Sequence, residues 1–328
     1  MVSVEQGMEW FRRSEAVERR GVALVLHGLN LNPARMAAVI AALNDGGIDA
    51  LRLSLRGHGE NFRQREGMDA AQSRLEDFKG VSHSLWFRET LKGFEESRKS
   101  AHANRAPLFL VGFSYGALIG LDLLAARPDA AFDRAVLFAP ALSLRGWDYA
   151  IRLFAPFPKM IIPSLAPAGY LANPGTPIAA YNALFETLDH FESHLGPRLN
   201  LPTLVVMDPG DELVSLGGIR KLAETHNLDQ WRFHPVQNRG SRSNRALRHI
   251  VIDEGTGFPA LAIAHRHLAF QQALCLQIGV AGFDRRLHPL ADVVQVHVAR
   301  HALGERVDHR DHRTTSLLVS HAVRPPEA

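Results

Sequence analysis

Pro107-Leu-Phe-Leu-Val-Gly-Phe-Ser-Tyr-Gly-Ala-Leu-Ile-Gly-Leu-Asp-Leu-Leu124 is the stretch on which the fold turns. Residues 108–111 are an apolar run of strand length, Gly112-Phe-Ser-Tyr-Gly116 interrupts it, and Leu118, Leu121 and Leu124 then recur at helical spacing. This predicts a strand, a sharp turn and a helix, with Ser114 at the apex and its hydroxyl facing a cleft. The pentapeptide alone is a weak signal: with glycine and serine each at about 7% of residues, chance supplies Gly-x-Ser-x-Gly in roughly one chain in ten of this length. Its place between a buried strand and an apolar helix is what makes Ser114 a candidate nucleophile.

The same grammar extends in both directions. Gly21-Val-Ala-Leu-Val-Leu-His-Gly28 is continuously apolar, as expected of a strand covered on both faces in a parallel sheet. Asn32-Pro33-Ala34 opens a helical pattern through Met36, Val39, Ile40 and Leu43 that stops at Gly46-Gly47, and residues 48–55 read as the next strand. Arg56-Gly-His-Gly59 closes that strand, its histidine flanked by glycines in a turn and read as orienting backbone rather than as catalytic. The polar segment 60–79 reads as a loop, and 84–97 as a helix feeding the Ser114 strand. Beyond the Ser114 helix, which ends at Arg127-Pro128, further strands are expected at 134–138, 201–207 and 230–236.

Residues 143–200 break this rhythm. Pro156, Pro158, Pro163, Pro167, Pro174 and Pro177 lie among large apolar residues, which predicts short helices and turns rather than sheet. Such an insertion reads as a lid over the carboxyl edge of the sheet, with Phe154, Phe157 and Met160 as substrate-contacting candidates. The domain expectation is a core of 1–142 and 201–258, a cap of 143–200, and a C-terminal extension of 259–328. That extension lacks lysine, tryptophan and tyrosine and carries histidines 265, 267, 288, 297, 301, 309, 312 and 321. Their spacing matches no zinc pattern, and the composition reads as a loosely structured tail or as a stretch translated out of frame.

Composition narrows the class. With 46% apolar residues in 328, the chain can bury a sizeable core. Lysine and arginine number 37 against 34 acidic residues, a balance that argues against a nucleic-acid partner. The single cysteine, Cys275, excludes an internal disulfide and fits a reducing compartment. Residues 1–20 are charged and lack the apolar core of a signal peptide, and the apolar stretch 107–126 is broken by Ser114, Asp122 and three glycines. The expectation is a cytoplasmic protein with no integral membrane segment.

A serine hydroxyl needs an imidazole to take its proton and an acid to orient that imidazole, and the oxyanion it creates needs hydrogen-bond donors. The N–H of Tyr115 is one candidate donor, and the N–H of Leu29, just past His27-Gly28, is the other. Downstream, Asp208, Asp211 and Glu212 follow one strand, and His249 begins the run His-Ile-Val-Ile-Asp253, so serine, acid and histidine occur in that order. His265 and His267 remain alternatives for the base, whereas His234 falls mid-strand, where a packed role is expected.

Leu26-His-Gly28, Leu55-Arg-Gly-His-Gly59, Gly112-Phe-Ser-Tyr-Gly116 and Gly210-Asp-Glu-Leu-Val214 together resemble the α/β-hydrolase superfamily, and within it the monoacylglycerol lipase and lysophospholipase-like serine hydrolases, over residues 21–255. The resemblance implies an α/β fold with an eight-stranded, mostly parallel central sheet, helices on both faces and a small helical cap. It also implies no cofactor or metal, and a small-molecule or lipid carboxylic ester as substrate. By that likeness Asp211 is the triad acid and His249 the base beside Ser114. Two departures stand out: the chain before Gly21 has room for one opening strand, near 10–13, rather than two, and Ser54 stands where many relatives carry an acid. A peptidase or amidase of the same fold, and a catalytically silent binding protein, are the competing readings.

Overall fold

Continuous apolar runs become interior strands because a sheet covered on both faces has no polar side to present. In the computed structural model, which describes residues 7–236 except 165 and 167 together with residues 248–252, the elements run as follows. Strand β1 (Met8–Phe11) and strand β2 (Gly21–Leu26) precede a 3-10 turn at Pro33–Met36, helix α1 (Ala37–Asp45) and strand β3 (Ile48–Leu53). Helices α2 (Ala70–Phe78) and α3 (His83–Ala103) lead to strand β4 (Leu108–Phe113), helix α4 (Tyr115–Ala126) and strand β5 (Arg134–Phe138). Then come the short strands β6 (Ile161–Pro163) and β7 (Gly175–Pro177), helix α5 (Ile178–Ser193), strand β8 (Thr203–Met207), helix α6 (Leu216–Thr225) and strand β9 (Trp231–Pro235).

The main sheet has the order β1-β3-β2-β4-β5-β8-β9. Only β1 is antiparallel, with Met8 opposite Leu53; the other pairs are parallel. Every residue of β2 and β4 is buried. The chain steps from β2 outward to β3 and then back across β2 to β4, and because parallel crossovers are right-handed this reversal sets α1 on one face and α3 and α4 on the other. Among the described residues the main sheet has seven strands, one fewer than the resemblance implies, with β1 the single opening strand.

Two local expectations are corrected. The polar segment read as a loop contains α2, whose start is a capping box: the Asp69 carboxylate accepts from the Gln72 N–H at 2.8 Å, and the Gln72 side chain accepts from the Asp69 N–H at 3.0 Å. At its other end Asp77 accepts from the Arg63 N–H at 2.7 Å and from Arg56 and Arg65, which ties the helix down. Segment 143–200 does hold sheet, since β6 and β7 pair antiparallel around a long excursion. It also holds α5, a sixteen-residue helix packed on α4, so its second half is core rather than cover. Proline ends β7 at Pro177 and serves as the residue before α5, where a missing N–H costs nothing. Helix α6, on which the sequence reading is silent, lies between β8 and β9, capped by Ser215 and tolerating Gly217-Gly218.

Residues 259–328, and with them His265 and His267, lie outside the described residues.

Candidate active site

The carboxyl ends of β2, β4, β5 and β8 meet at one edge of the sheet. Ser114 sits between β4 and α4 with φ 51° and ψ −115°, a left-handed conformation that costs a non-glycine residue about 1–3 kcal/mol. What holds it there is backbone: its N–H donates to the Phe138 carbonyl at 2.8 Å, and its carbonyl accepts from Ala117 (3.1 Å), Leu118 (3.2 Å) and Ala141 (3.1 Å). The flanking glycines supply clearance rather than unusual dihedrals. A Cβ on Gly116 would lie 2.5 Å from the carbonyl oxygens of Leu26 and His27, and one on Gly112 would lie 2.5 Å from the Ala117 Cα.

Ser114 Oγ is 2.8 Å from His249 Nε2, and His249 Nδ1 is 2.7 Å from Asp211 Oδ2. With Nδ1 protonated, His249 donates to the carboxylate and its Nε2 accepts from the serine hydroxyl. Asp211 is fully buried, and its Oδ1 accepts from the N–H groups of Leu213 (2.8 Å) and Val214 (2.9 Å), so the other oxygen is left for the imidazole. Of the rival carboxylates, Asp208 accepts from the Gly210 N–H at 2.7 Å and shapes the turn. Glu212 lies half-buried with both oxygens lacking a partner among the described residues, and burial raises its pKa. His234 stands on β9 opposite Val206, and its pKa is lowered by burial.

The N–H groups of Leu29 and Tyr115 have no hydrogen-bond partner among the described residues. Next to Leu29, the Asn30 N–H donates to His58 Nε2 at 3.1 Å, and His58 Nδ1 faces the carbonyls of Leu55 (3.2 Å) and Arg56 (3.3 Å). Its neighbour His27, with ring centres 4.5 Å apart, accepts from the Leu55 N–H at 3.0 Å and donates through Nδ1 to the Gly28 carbonyl at 2.8 Å. Both imidazoles are fully buried, and desolvation pushes His27 down to about 4 and His58 well below its ordinary value, so both are neutral hydrogen-bonding struts. His58 thus orients backbone, as its glycine-flanked setting suggests, but nothing in the sequence marks its pairing with His27. Arg145 is likewise unmarked: its Nε donates to the Asp211 carbonyl at 2.7 Å, bracing the acid turn from the segment after β5.

Phe154, Phe157 and Met160 lie on the surface of the insertion; Phe157 is 60% exposed, and the adjacent Leu153 80%. Among the described residues no helix is long and apolar enough to cross a membrane.

A parallel sheet whose central strand turns sharply into a helix through a strained serine, with histidine and carboxylate delivered from later loops at the same edge, defines the α/β-hydrolase class. Comparison with known proteins agrees. The model of the serine aminopeptidase S33 family matches residues 17–177. Among solved structures, a soluble variant of monoglyceride lipase from Saccharomyces cerevisiae, in complex with a substrate analogue, aligns with a TM-score of 0.63 at 13% identity, over 83% of this chain and 91% of that one. The monoacylglycerol lipase of Paleococcus ferrophilus aligns at 0.59 and 17%, over 84% and 100%. A structure from the study of the metagenome-derived lipolytic enzymes LipS and LipT aligns at 0.59 and 20%, over 81% and 97%. At these identities the likeness is one of fold. No curated protein matches the chain. The fold is that of the α/β-hydrolases, and the family match spans residues 17–177 of it.

Proposed function

We propose that this protein is a serine hydrolase that cleaves carboxylic esters through an acyl-enzyme on Ser114. The observation that carries the reading is the hydrogen-bond chain from Ser114 Oγ through His249 to the buried Asp211, at 2.8 and 2.7 Å. In this mechanism His249 Nε2 takes the hydroxyl proton as Oγ bonds to the ester carbonyl carbon. The oxyanion is held by the N–H groups of Leu29 and Tyr115, the latter in the first turn of α4, where N–H groups have no partner within the helix. His249 then passes its proton to the departing alkoxide, and water repeats the sequence to release the acid. Asp211 keeps the Nδ1 proton in place and stabilises the imidazolium. No step calls for a cofactor.

The apolar surface of Leu153, Phe154 and Phe157 supports an acyl chain as the substrate's larger part, as do the lipase names of the fold neighbours. A second reading, amide or peptide hydrolysis, is supported by the description of the matched family model. A fluorophosphonate probe tests the chemistry: wild type labels, while Ser114→Ala and His249→Ala do not, because acylation itself needs the base. Labelling that survives His249→Ala but is lost in His265→Ala or His267→Ala would move the base elsewhere. Turnover of p-nitrophenyl esters against aminoacyl anilides separates the two readings.

A further inference from the structure

Helix α4 is buried throughout residues 115–124, and Asp122 is the one charged side chain among those ten residues. A carboxylate in such a place requires strong partners. Two imidazoles supply them, from the two helices that pack against α4. His83, the first residue of α3, sets Nε2 2.8 Å from Asp122 Oδ2, and His190, in the last turn of α5, sets Nδ1 2.6 Å from Asp122 Oδ1. The donor atoms of all three residues lie within 4.8 Å of one another.

The surroundings are those of a site with one open side. The Phe87 ring meets both imidazoles edge-on, with centres 5.5 Å from His83 and 5.7 Å from His190. Glu186, one turn before His190, accepts from the His83 N–H at 3.4 Å. His194, one turn after it, lies tilted against His190 with ring centres 4.3 Å apart and spends its Nδ1 on the His190 carbonyl and Ser193. Asp122 is sealed from solvent, whereas the His190 side chain is 34% exposed. An ion can therefore enter past His190 and reach a carboxylate that water does not.

We propose that His83, Asp122 and His190 bind a divalent transition-metal ion, with zinc the best match. Two neutral imidazole nitrogens and one carboxylate oxygen are a donor set suited to zinc, and a water would fill a fourth position on the exposed side. Zinc bonds of about 2.0–2.2 Å at tetrahedral angles need donors about 3.3 Å apart. The two His–Asp separations, 2.8 and 2.6 Å, reach that value when each imidazole withdraws by about half an ångström, and the two imidazole nitrogens lie within 4.8 Å of each other, inside the reach of one ion. Asp122 lies eight residues beyond Ser114 along α4, about 12 Å of helix rise. The ion would thus act as a clasp joining α3, α4 and α5 behind the nucleophile, without touching the reacting atoms.

The test uses the full chain, stripped with a chelator and dialysed against zinc, with bound metal counted by mass spectrometry. Because any histidine in the chain can take up some zinc, the quantity read is a difference: wild type should hold one equivalent more than His83→Gln/His190→Gln, and His102→Gln, at the exposed end of α3, should match wild type. Zinc at a hundredfold excess over its Kd should raise the Tm of wild type by about 5–10 °C and leave the double variant unmoved. Should the double variant fail to fold, His190→Gln alone, at a partly exposed position, must show the same loss. Equal stoichiometry in variant and wild type, or a wild-type Tm that zinc does not move, would establish a purely hydrogen-bonded His-Asp-His cluster and overturn the proposal.

Discussion

Acidification should begin to destabilise this protein before most of its carboxylates titrate, and the cause would be the buried pair His27 and His58. In the native state His27 has a pKa of about 4, against 6.5 for an exposed imidazole, chiefly because burial penalises the charged ring. The unfolded chain therefore takes up a proton first as pH falls. The stability associated with the neutral ring is complete above pH 6.5, declines below it, and stops declining near pH 4, where the native state is protonated too. At 1.36 kcal/mol per pH unit this amounts to about 3 kcal/mol for His27 alone, a sizeable part of the 5–15 kcal/mol that holds a typical domain together. His58 is shifted in the same direction, by burial and by His27 beside it, and steepens the fall. Urea unfolding followed by tryptophan fluorescence between about pH 6.5 and 5, where ordinary carboxylates hardly titrate, reads the slope, and the raised Glu89 and Glu212 contribute alike to wild type and variant. Wild type should lose more than about 1.4 kcal/mol per pH unit in the lower part of that range. His27→Gln, though less stable at neutral pH, should show roughly half that slope. An unchanged slope in His27→Gln would mean that the buried ring carries no proton deficit, and the reasoning would fail.

Other consequences follow from the elbow and from the exposed apolar side chains of segment 143–200. Replacing Ser114 by glycine should remove turnover while raising stability by about 1 kcal/mol in urea titrations, because the release of left-handed strain exceeds glycine's entropic cost; a loss of stability would show the serine to be structural. Gly116→Ala should cost about 2 kcal/mol or more and most of the activity, since its Cβ would meet two backbone carbonyls at 2.5 Å; a variant with normal Tm and kcat would deny that close approach. Phe154→Ser, Phe157→Ser and Met160→Ser should raise KM for long-chain esters more than for acetates, with little change in Tm because these side chains are exposed; equal effects on both chain lengths would remove these residues from acyl recognition.

The parallel strands were legible because their burial leaves a simple trace. Gly21–Leu26 and Leu108–Phe113 are apolar at nearly every position, and glycine or histidine ends each run where the chain leaves the sheet. The separation of Asp211 from His249 in sequence likewise suited two loops at one edge. What escaped notice was stabilised by features that composition hides. Helix α2 rests on the reciprocal capping of Asp69 and Gln72, a signal present in the sequence but submerged among charges. Helix α5 follows a run of prolines that reads as irregular until Pro177 is recognised as the residue that starts a helix. The cluster of His83, Asp122 and His190 could not be read at all, because three helices distant in sequence each contribute one side chain and only their packing brings these together.

The strands that converge on Ser114 also diverge from it. Their amino ends, and the turns that feed them, face the opposite edge of the sheet, and β4 alone puts about 20 Å between the two. The turn at Asn104-Arg105, between α3 and β4, is exposed, and Arg105 adopts φ 49° there with no part in the relay. For anyone wishing to tether this protein to a surface or graft a reporter into it, that far edge is the place to do so: the handle and Ser114 would lie beyond opposite ends of β4.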